Sequence, residues 1–326
     1  MSKLGDRNLN LEVKHMNVNH EVLKFWNIKD VKELKKIQDN VYRVNCEDGT
    51  SFILKNKSNK KRVLAETHFI QHLKKKGVPV SVPRLSDKGE CFVEYEGECL
   101  SLYKALEGEH IIYNLKKDDR NIIFQHSNVL AQIHLALADY KGDNETIRDM
   151  KFDKQIYDWA LPTLLKHYDD ASIQEKLNQL REEVVYYFTN VPKQHIHRDP
   201  HGGNILFENG EWSGLIDFDL ATIGYRIFDI CYMLLSFFYE DFREEGLQNV
   251  WLEAVRGFTG SYEEKSPLLP IEKESAWYFF ICIELICAAY FIDIKDYKSA
   301  DDALDLFNWL YNNKVRINSC FICVDS

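Results

Sequence analysis

Between His195 and Asp219 the chain reads HIHRDPHGGNILFENGEWSGLIDFD, which crowds three histidines and three aspartates into one short segment. Side chains of these types bind metals, and two chemistries could use them. The imidazoles of His195, His197 and His201 would suit a zinc hydrolase. Asp199, Asn204 and Asp217 are hard oxygen donors of the kind magnesium takes while it carries phosphate.

Zinc fails on supply. The run from His195 to His201 approaches the HxHxDH pattern of two-metal hydrolases, but Pro200 shifts the last histidine by one residue. No histidine follows His201, whereas a catalytic zinc ion usually takes two or three imidazoles. The oxygen donors fare better. Asn209-Gly210 lies between the apolar runs ILF and WSGLI, a strong short-range hairpin signal. Folding the chain there sets Asn204 opposite about Leu215, so that Asn204 and Asp217 lie within roughly 7 Å along the strands at ~3.4 Å per residue. Both then sit at the open end of the hairpin, beside the loop that carries Asp199.

These residues need a frame. Val41–Cys46 and Ser51–Lys55 read as two strands joined through Asp48-Gly49, and Val63–Lys76 reads as a helix ending in lysines and Gly77. Pro-bearing residues 78–83 form a connector, and Cys91–Tyr95 is a further strand. From Leu100 the pattern turns helical, with Leu130, Ile133 and Leu137 on one stripe. The expected architecture is α+β and bilobal: a small antiparallel-sheet lobe with one main helix over residues 1–98, and a larger, mostly helical lobe over 99–326. The connector falls near Glu96–Leu100.

Composition narrows the function classes. The chain has 326 residues, 45% hydrophobic and 28% charged, with a formal net charge of −10. A nucleic-acid binder wants a Lys/Arg surplus, so no nucleic-acid partner is expected. A cationic small ligand is compatible with that charge. Residues 1–25 carry no signal-peptide core, and the longest apolar run, Trp277–Ile292, is shorter than the roughly twenty residues of a membrane span and contains Glu284. No membrane partner is expected, and the location is expected to be cytoplasmic, with the eight cysteines as thiols. Cys320 and Cys323 have zinc-knuckle spacing, but no second such pair completes four ligands.

His197-Arg198-Asp199 with Asn204 five residues on resembles the kinase pattern HxDxxxxN, and Asp217-Phe218-Asp219 stands where protein kinases carry DFG. The fuller string HRDPHGGNILF…GLIDFDLATIGYRIFDI is similar to the aminoglycoside phosphotransferase and choline kinase-like superfamily, which includes homoserine kinases and spore-coat kinase-like proteins. The resemblance implies a protein-kinase-like fold and an ATP- and Mg2+-dependent transfer of phosphate to a hydroxyl of a small molecule. It implies that Asp199 orients the hydroxyl and accepts its proton, and that Asn204 and Asp217 hold magnesium. His197 would brace the loop, and Asp229 would start a helix and tie to that loop. It also asks for a strand lysine on the phosphates paired with a helix glutamate. Lys55 ends the strand SFILK, and Glu66 shares the inward helix face with Ile70 and Leu73. The adenine is expected on the backbone of Val93, Glu94 and Tyr95, where the lobes are expected to join.

Two features depart from the protein-kinase pattern. KKIQDNVYRV has no glycine where a glycine-rich loop would lie, and Asp219 replaces the glycine of DFG. Only eleven residues separate Asp217 from Asp229, too few for a peptide-binding activation segment. The acceptor should therefore be small: an amino alcohol, homoserine, a sugar or an aminoglycoside. Glu284, Asp219 and Trp212 are candidates for holding it, each with an ordinary structural reading beside the functional one. A catalytically silent kinase-like structural or interaction protein of spore-coat type is the alternative, and the oligomeric state is not legible.

Overall fold

The computed structural model describes residues 20–57, 59–142, 149–168 and 171–321. Most of the polar N-terminal stretch, and Cys323 of the cysteine pair, lie outside them. The first strands are β1 (Val31–Gln38), β2 (Val41–Cys46) and β3 (Ser51–Lys57), followed by helix α1 (Lys60–Lys75), β4 (Val93–Tyr95) and β5 (Glu98–Lys104). They form one antiparallel sheet in the order β1-β2-β3-β5-β4. The turn before β3 is the expected one, with Gly49 at φ 85. Helix α1 starts where Asn59 accepts a hydrogen bond from the Arg62 N–H at 3.0 Å. One face of the sheet is closed by Val22, Leu23 and Trp26 from a preceding 3-10 turn, packed on Val44, Phe52, Leu54, Leu100 and Leu102.

The larger lobe is mostly helical. It contains α2 (Arg120–Leu137), the short α3 (Phe152–Lys154) running into a π-helical turn, α4 (Leu161–His167), α5 (Ala171–Gln179) and α6 (Arg181–Asn190). Two small sheets follow, β6 (Gln194–Ile196) with β9 (Thr222–Gly224), and the hairpin β7 (Ile205–Glu208) with β8 (Glu211–Leu215). Helices α7 (Arg226–Ser236), α8 (Glu245–Lys265), α9 (Pro270–Asp293), α10 (Tyr297–Asn312) and α11 (Lys314–Asn318) complete it. Helix α9 contains the long apolar run and is long and apolar enough to cross a membrane, but 83% of its most apolar stretch is buried inside the protein. An interior helix needs no polar face, which explains its all-round apolar pattern.

The connection between the lobes differs from expectation. Val93–Tyr95 is the edge strand of the small sheet rather than the crossing, because Glu96 and Gly97 take φ 52 and φ 86 and turn the chain straight back into β5. β5 pairs with β3 along its length, so the sheet runs past the boundary expected at residue 98. The chain crosses at residues 105–108 and reaches the large lobe where Glu109 and Phe207 exchange backbone hydrogen bonds of 2.8 and 2.9 Å. The two-residue turn had been hidden by its lack of the Asn-Gly or Asp-Gly signature.

Gly108 shapes this crossing. Its φ is 123, and a Cβ there would stand 2.8 Å from the Phe207 carbonyl oxygen and closer still to Ser213 Oγ. Gly108→Ala should therefore cost about 1–3 kcal/mol, read as a lowered midpoint in urea unfolding. An unchanged midpoint would mean that the crossing relaxes freely.

Candidate active site

The hairpin delivers its ends as its turn chemistry requires. Asn209 and Gly210 have φ 53 and φ 83, Ile205 pairs with Leu215, and the Asn204 carbonyl accepts the Ile216 N–H at 3.0 Å. Asn204 is thus tied to the residue before Asp217. On its other side, its amide donates to the Asp199 carbonyl at 2.8 Å and to Asp199 Oδ2 at 3.2 Å. With the amide NH2 committed to Asp199, the Asn204 side-chain oxygen is left as an acceptor. Asp199, Asn204 and Asp217 therefore converge.

Asp199 is buried, and its Oδ1 has no hydrogen-bond partner among the described residues. Burial, reinforced by the Asp217 charge, pushes its carboxyl up to about 7 even though hydrogen bonds from Tyr232 and Asn204 oppose the shift. Tyr232 was not foreseen. It lies on α7 three residues after Asp229, so one helix face presents both toward the loop.

The loop is held from behind. Arg198 sits at φ 69, an uncommon conformation for a residue with a side chain. Asp229, fully buried near the start of α7, accepts the N–H groups of His197 and Arg198, each at 3.0 Å. His134 of α2 lies 3.2 Å from the same carboxylate and 2.7 Å from the Tyr262 hydroxyl. His197 Nε2 meets the Ile216 carbonyl at 3.0 Å, and His201 Nδ1 accepts the Gly203 N–H. The bracing expected of His197 and Asp229 is therefore present. The histidines of the segment do structural work, and no three His, Cys, Asp or Glu side chains converge as a metal cage among the described residues.

One expected pair is not formed. Lys55 does not meet Glu66. Its ammonium lies 3.1 Å from Asp217 Oδ1, while Glu66 pairs with Lys57 at 2.8 Å. Lys57 also contacts Asp219. The reason is strand length: β3 runs two residues beyond Lys55, and residues two apart share a face. Both lysines thus point into the cleft, and α1 begins only three residues after Lys57, which brings Glu66 beside the nearer one. Glu66 is on the buried helix face as expected, and Tyr103 reaches it weakly at 3.5 Å.

The model of the phosphotransferase enzyme family matches residues 30–259, most of the chain and all of these side chains but Tyr262. The chain belongs to that family. A homoserine kinase of Polaromonas naphthalenivorans (strain CJ2) is 23% identical over 213 residues, covering 64% of this chain and 66% of the relative, so the match spans just under two thirds of that protein. Among solved structures, an amicoumacin kinase in complex with AMP-PNP, Ca2+ and Ami superposes with a TM-score of 0.68 at 19% identity over 92% of each chain. A microcompartment-associated aminopropanol kinase reaches the same TM-score at 14% identity, over 92% of this chain and 97% of that one. These likenesses establish the bilobal α+β fold.

Two of the three residues that the sequence offers for holding an acceptor are engaged within the protein. Asp219, a candidate ammonium anchor, is already occupied by Lys57 and by Arg62, whose guanidinium donates to the Asp219 carbonyl. Trp212 Nε1 donates to the Gly214 carbonyl at 3.0 Å and serves the hairpin. Glu284 of α9 is fully buried, and neither of its oxygens has a hydrogen-bond partner among the described residues. Burial pushes that carboxyl up to about 8.

Replacing Asp229 tests the brace. Asp229→Ala leaves two buried N–H groups without an acceptor and should cost about 3 kcal/mol or more, while Asp229→Asn, whose single amide oxygen can take only part of the load, should lose less. Hydrogen exchange across residues 197–204 should rise in the same order, and protection unchanged in Asp229→Ala would overturn the assignment.

Proposed function

We propose that the protein transfers the γ-phosphate of ATP to a hydroxyl of a small molecule, with Asp199 as the base. The observation that carries this reading is the buried Asp199 carboxylate: one oxygen is held by Asn204, the other has no hydrogen-bond partner among the described residues, and the charge of Asp217, which Lys55 meets, acts on it. The acceptor hydroxyl would give its proton to Asp199 as its oxygen bonds to the γ-phosphorus. The bond from that phosphorus to the β-γ bridging oxygen would break, and ADP would leave with the bond's electrons. Lys55 would bind phosphate oxygens, exchanging Asp217 for them.

The donor set fits a divalent cation. Asn204 presents an amide oxygen and Asp217 a carboxylate, few and hard, which suits magnesium with phosphate oxygens filling the remaining positions. Bound there, Mg2+ would neutralise phosphate charge. Since the lobes join at residues 105–108, the nucleotide base belongs against that segment instead of Val93–Tyr95.

An acceptor that carries an ammonium group is favoured. Tyr232 and Cys287 feel the charges of both Asp199 and Glu284, and Glu284 has no hydrogen-bond partner among the described residues. A buried carboxyl without a partner is costly, and an arriving ammonium would supply that partner and favour its ionised form. The homoserine and aminopropanol kinases among the relatives are named for amino alcohols, which supports the same class.

The test is mass spectrometry of a pooled library of amino alcohols, homoserine, sugars and aminoglycosides incubated with Mg-ATP. A product gaining one phosphate should appear with wild type and fall by about a thousandfold with Asp199→Asn. Mg-ATP binding without any product would instead favour a silent scaffold. With the acceptor known, Glu284→Gln should raise KM about tenfold for the amine-bearing compound, a loss near 1.4 kcal/mol, and leave its deaminated analogue unaffected. Equal effects on both would remove Glu284 from the acceptor site.

A further inference from the structure

Lys55 and Lys57 stand two residues apart on β3, and Asp217 and Asp219 stand two residues apart on the segment that faces it. The pairs match in order, Lys55 with Asp217 and Lys57 with Asp219. The cleft is thus bridged by two parallel rungs of opposite charge. The second rung is the more elaborate. Lys57 is almost fully buried and holds Glu66 of α1 as well as Asp219, and Arg62 of α1 donates to the Asp219 carbonyl.

Two of these elements already belong to the large lobe. Phe69, Ile70 and Leu73 of α1 lie in the large-lobe core, where Phe69 meets Phe218 with ring centroids 5.8 Å apart. His72 contacts the Ala136 carbonyl of α2 at 2.8 Å. Helix α1 is therefore docked on the large lobe, and Lys57 fastens the small sheet both to that helix and to the segment carrying Asp217.

We propose that the two lysines divide their labour: Lys57, clasped between Glu66 and Asp219, is the positioning residue that holds the sheet on the large lobe, which leaves Lys55 as the exchangeable lysine of the cleft. Lys55 is held by one carboxylate in a cleft-facing contact that an incoming phosphate can replace. Lys57, itself buried, is held by two, and drawing it away would strand the buried Glu66 carboxylate. The clasp stands on the geometry alone; only the assignment of Lys55 to phosphate rests on the phosphotransfer reading. The aspartate at position 219, in place of the glycine of DFG, acquires a reason: it is the second rung.

The test uses the full chain without nucleotide. Hydrogen exchange is followed over β3 and residues 217–221 in wild type, Lys57→Met, Asp219→Asn, their double variant and Lys55→Met. Lys57→Met and Asp219→Asn should each speed exchange there about tenfold or more, and the double variant should exceed Lys57→Met by little, because both remove one interaction. Lys55→Met should leave that exchange within about twofold and instead weaken binding of a fluorescent ATP analogue about tenfold. Additive effects at 57 and 219, or equal loosening by Lys55→Met, would overturn the clasp. Should Lys57→Met fail to fold, Asp219→Asn and Lys57→Arg carry the same comparison. If wild type shows the clasp but binds no ATP analogue, the phosphotransfer reading fails and the clasp stands.

Discussion

The candidate site depends on a backbone that cannot hold itself. Between β6 and the hairpin, the chain turns through Arg198 in the left-handed region, and the N–H groups of His197 and Arg198 face inward with no strand to receive them. Asp229 accepts both. The same carboxylate meets His134, which Tyr262 contacts from α8, so α2, α7 and α8 all bear on one loop. A charged acceptor in a dry setting makes strong hydrogen bonds and is expensive to leave unmatched. That double cost makes the loop stiff, and the stiffness is what keeps Asp199 and Asn204 in a fixed relation to Asp217.

Around this loop several carboxylates meet cationic side chains. Asp199, Asp217, Asp219 and Glu66 share the cleft with Lys55 and Lys57. The lysine charges hold Asp219 well below the ordinary carboxylate range against the desolvation that opposes them. For Lys57, burial works against the charged form, yet Asp219 and Glu66 outweigh it and raise its affinity for the proton. Among the described residues no lysine pairs with Asp199. It rises instead, under burial and the charge of Asp217. Among the described residues, Asp199 has an oxygen with neither a hydrogen bond nor an ion pair to Lys55 or Lys57.

The interior of the large lobe explains why Glu284 stands out. Helix α9 is walled by aromatic side chains, including Phe279 against Phe188 and Tyr225, and Trp251 against Phe280. Another buried carboxylate of this helix is matched: Glu272 takes a two-pronged hydrogen bond from Arg226 at 2.6 Å. Glu284, three turns further along, has no such partner among the described residues. Two fully buried glutamates on one helix thus differ: Glu272 is satisfied within the protein, and Glu284 has no hydrogen-bond partner among the described residues.

Much of this was legible in the sequence, and the failures share a cause. Asn209-Gly210 fixed a hairpin because only a few residues accept positive φ at both turn positions, and the hairpin in turn brought Asn204 to Asp217. The inward face of α1 followed from the spacing of Glu66, Ile70 and Leu73, and the interior role of α9 from an apolar run shorter than a membrane span and carrying Glu284. The catalytic-loop motif pointed to Asp199 and to its brace at Asp229. Glu96-Gly97 misled, since a tight turn made by a residue unsuited to positive φ has a weak local signature, and the crossing moved to residues 105–108. The choice between Lys55 and Lys57 was not written locally at all. Alternation puts both on one face of β3, and either could reach a helix carboxylate. Docking α1 against Phe218 and Ala136 sets how far Glu66 lies along that strand, and this distance is a property of the packed lobes, not of any neighbouring residues.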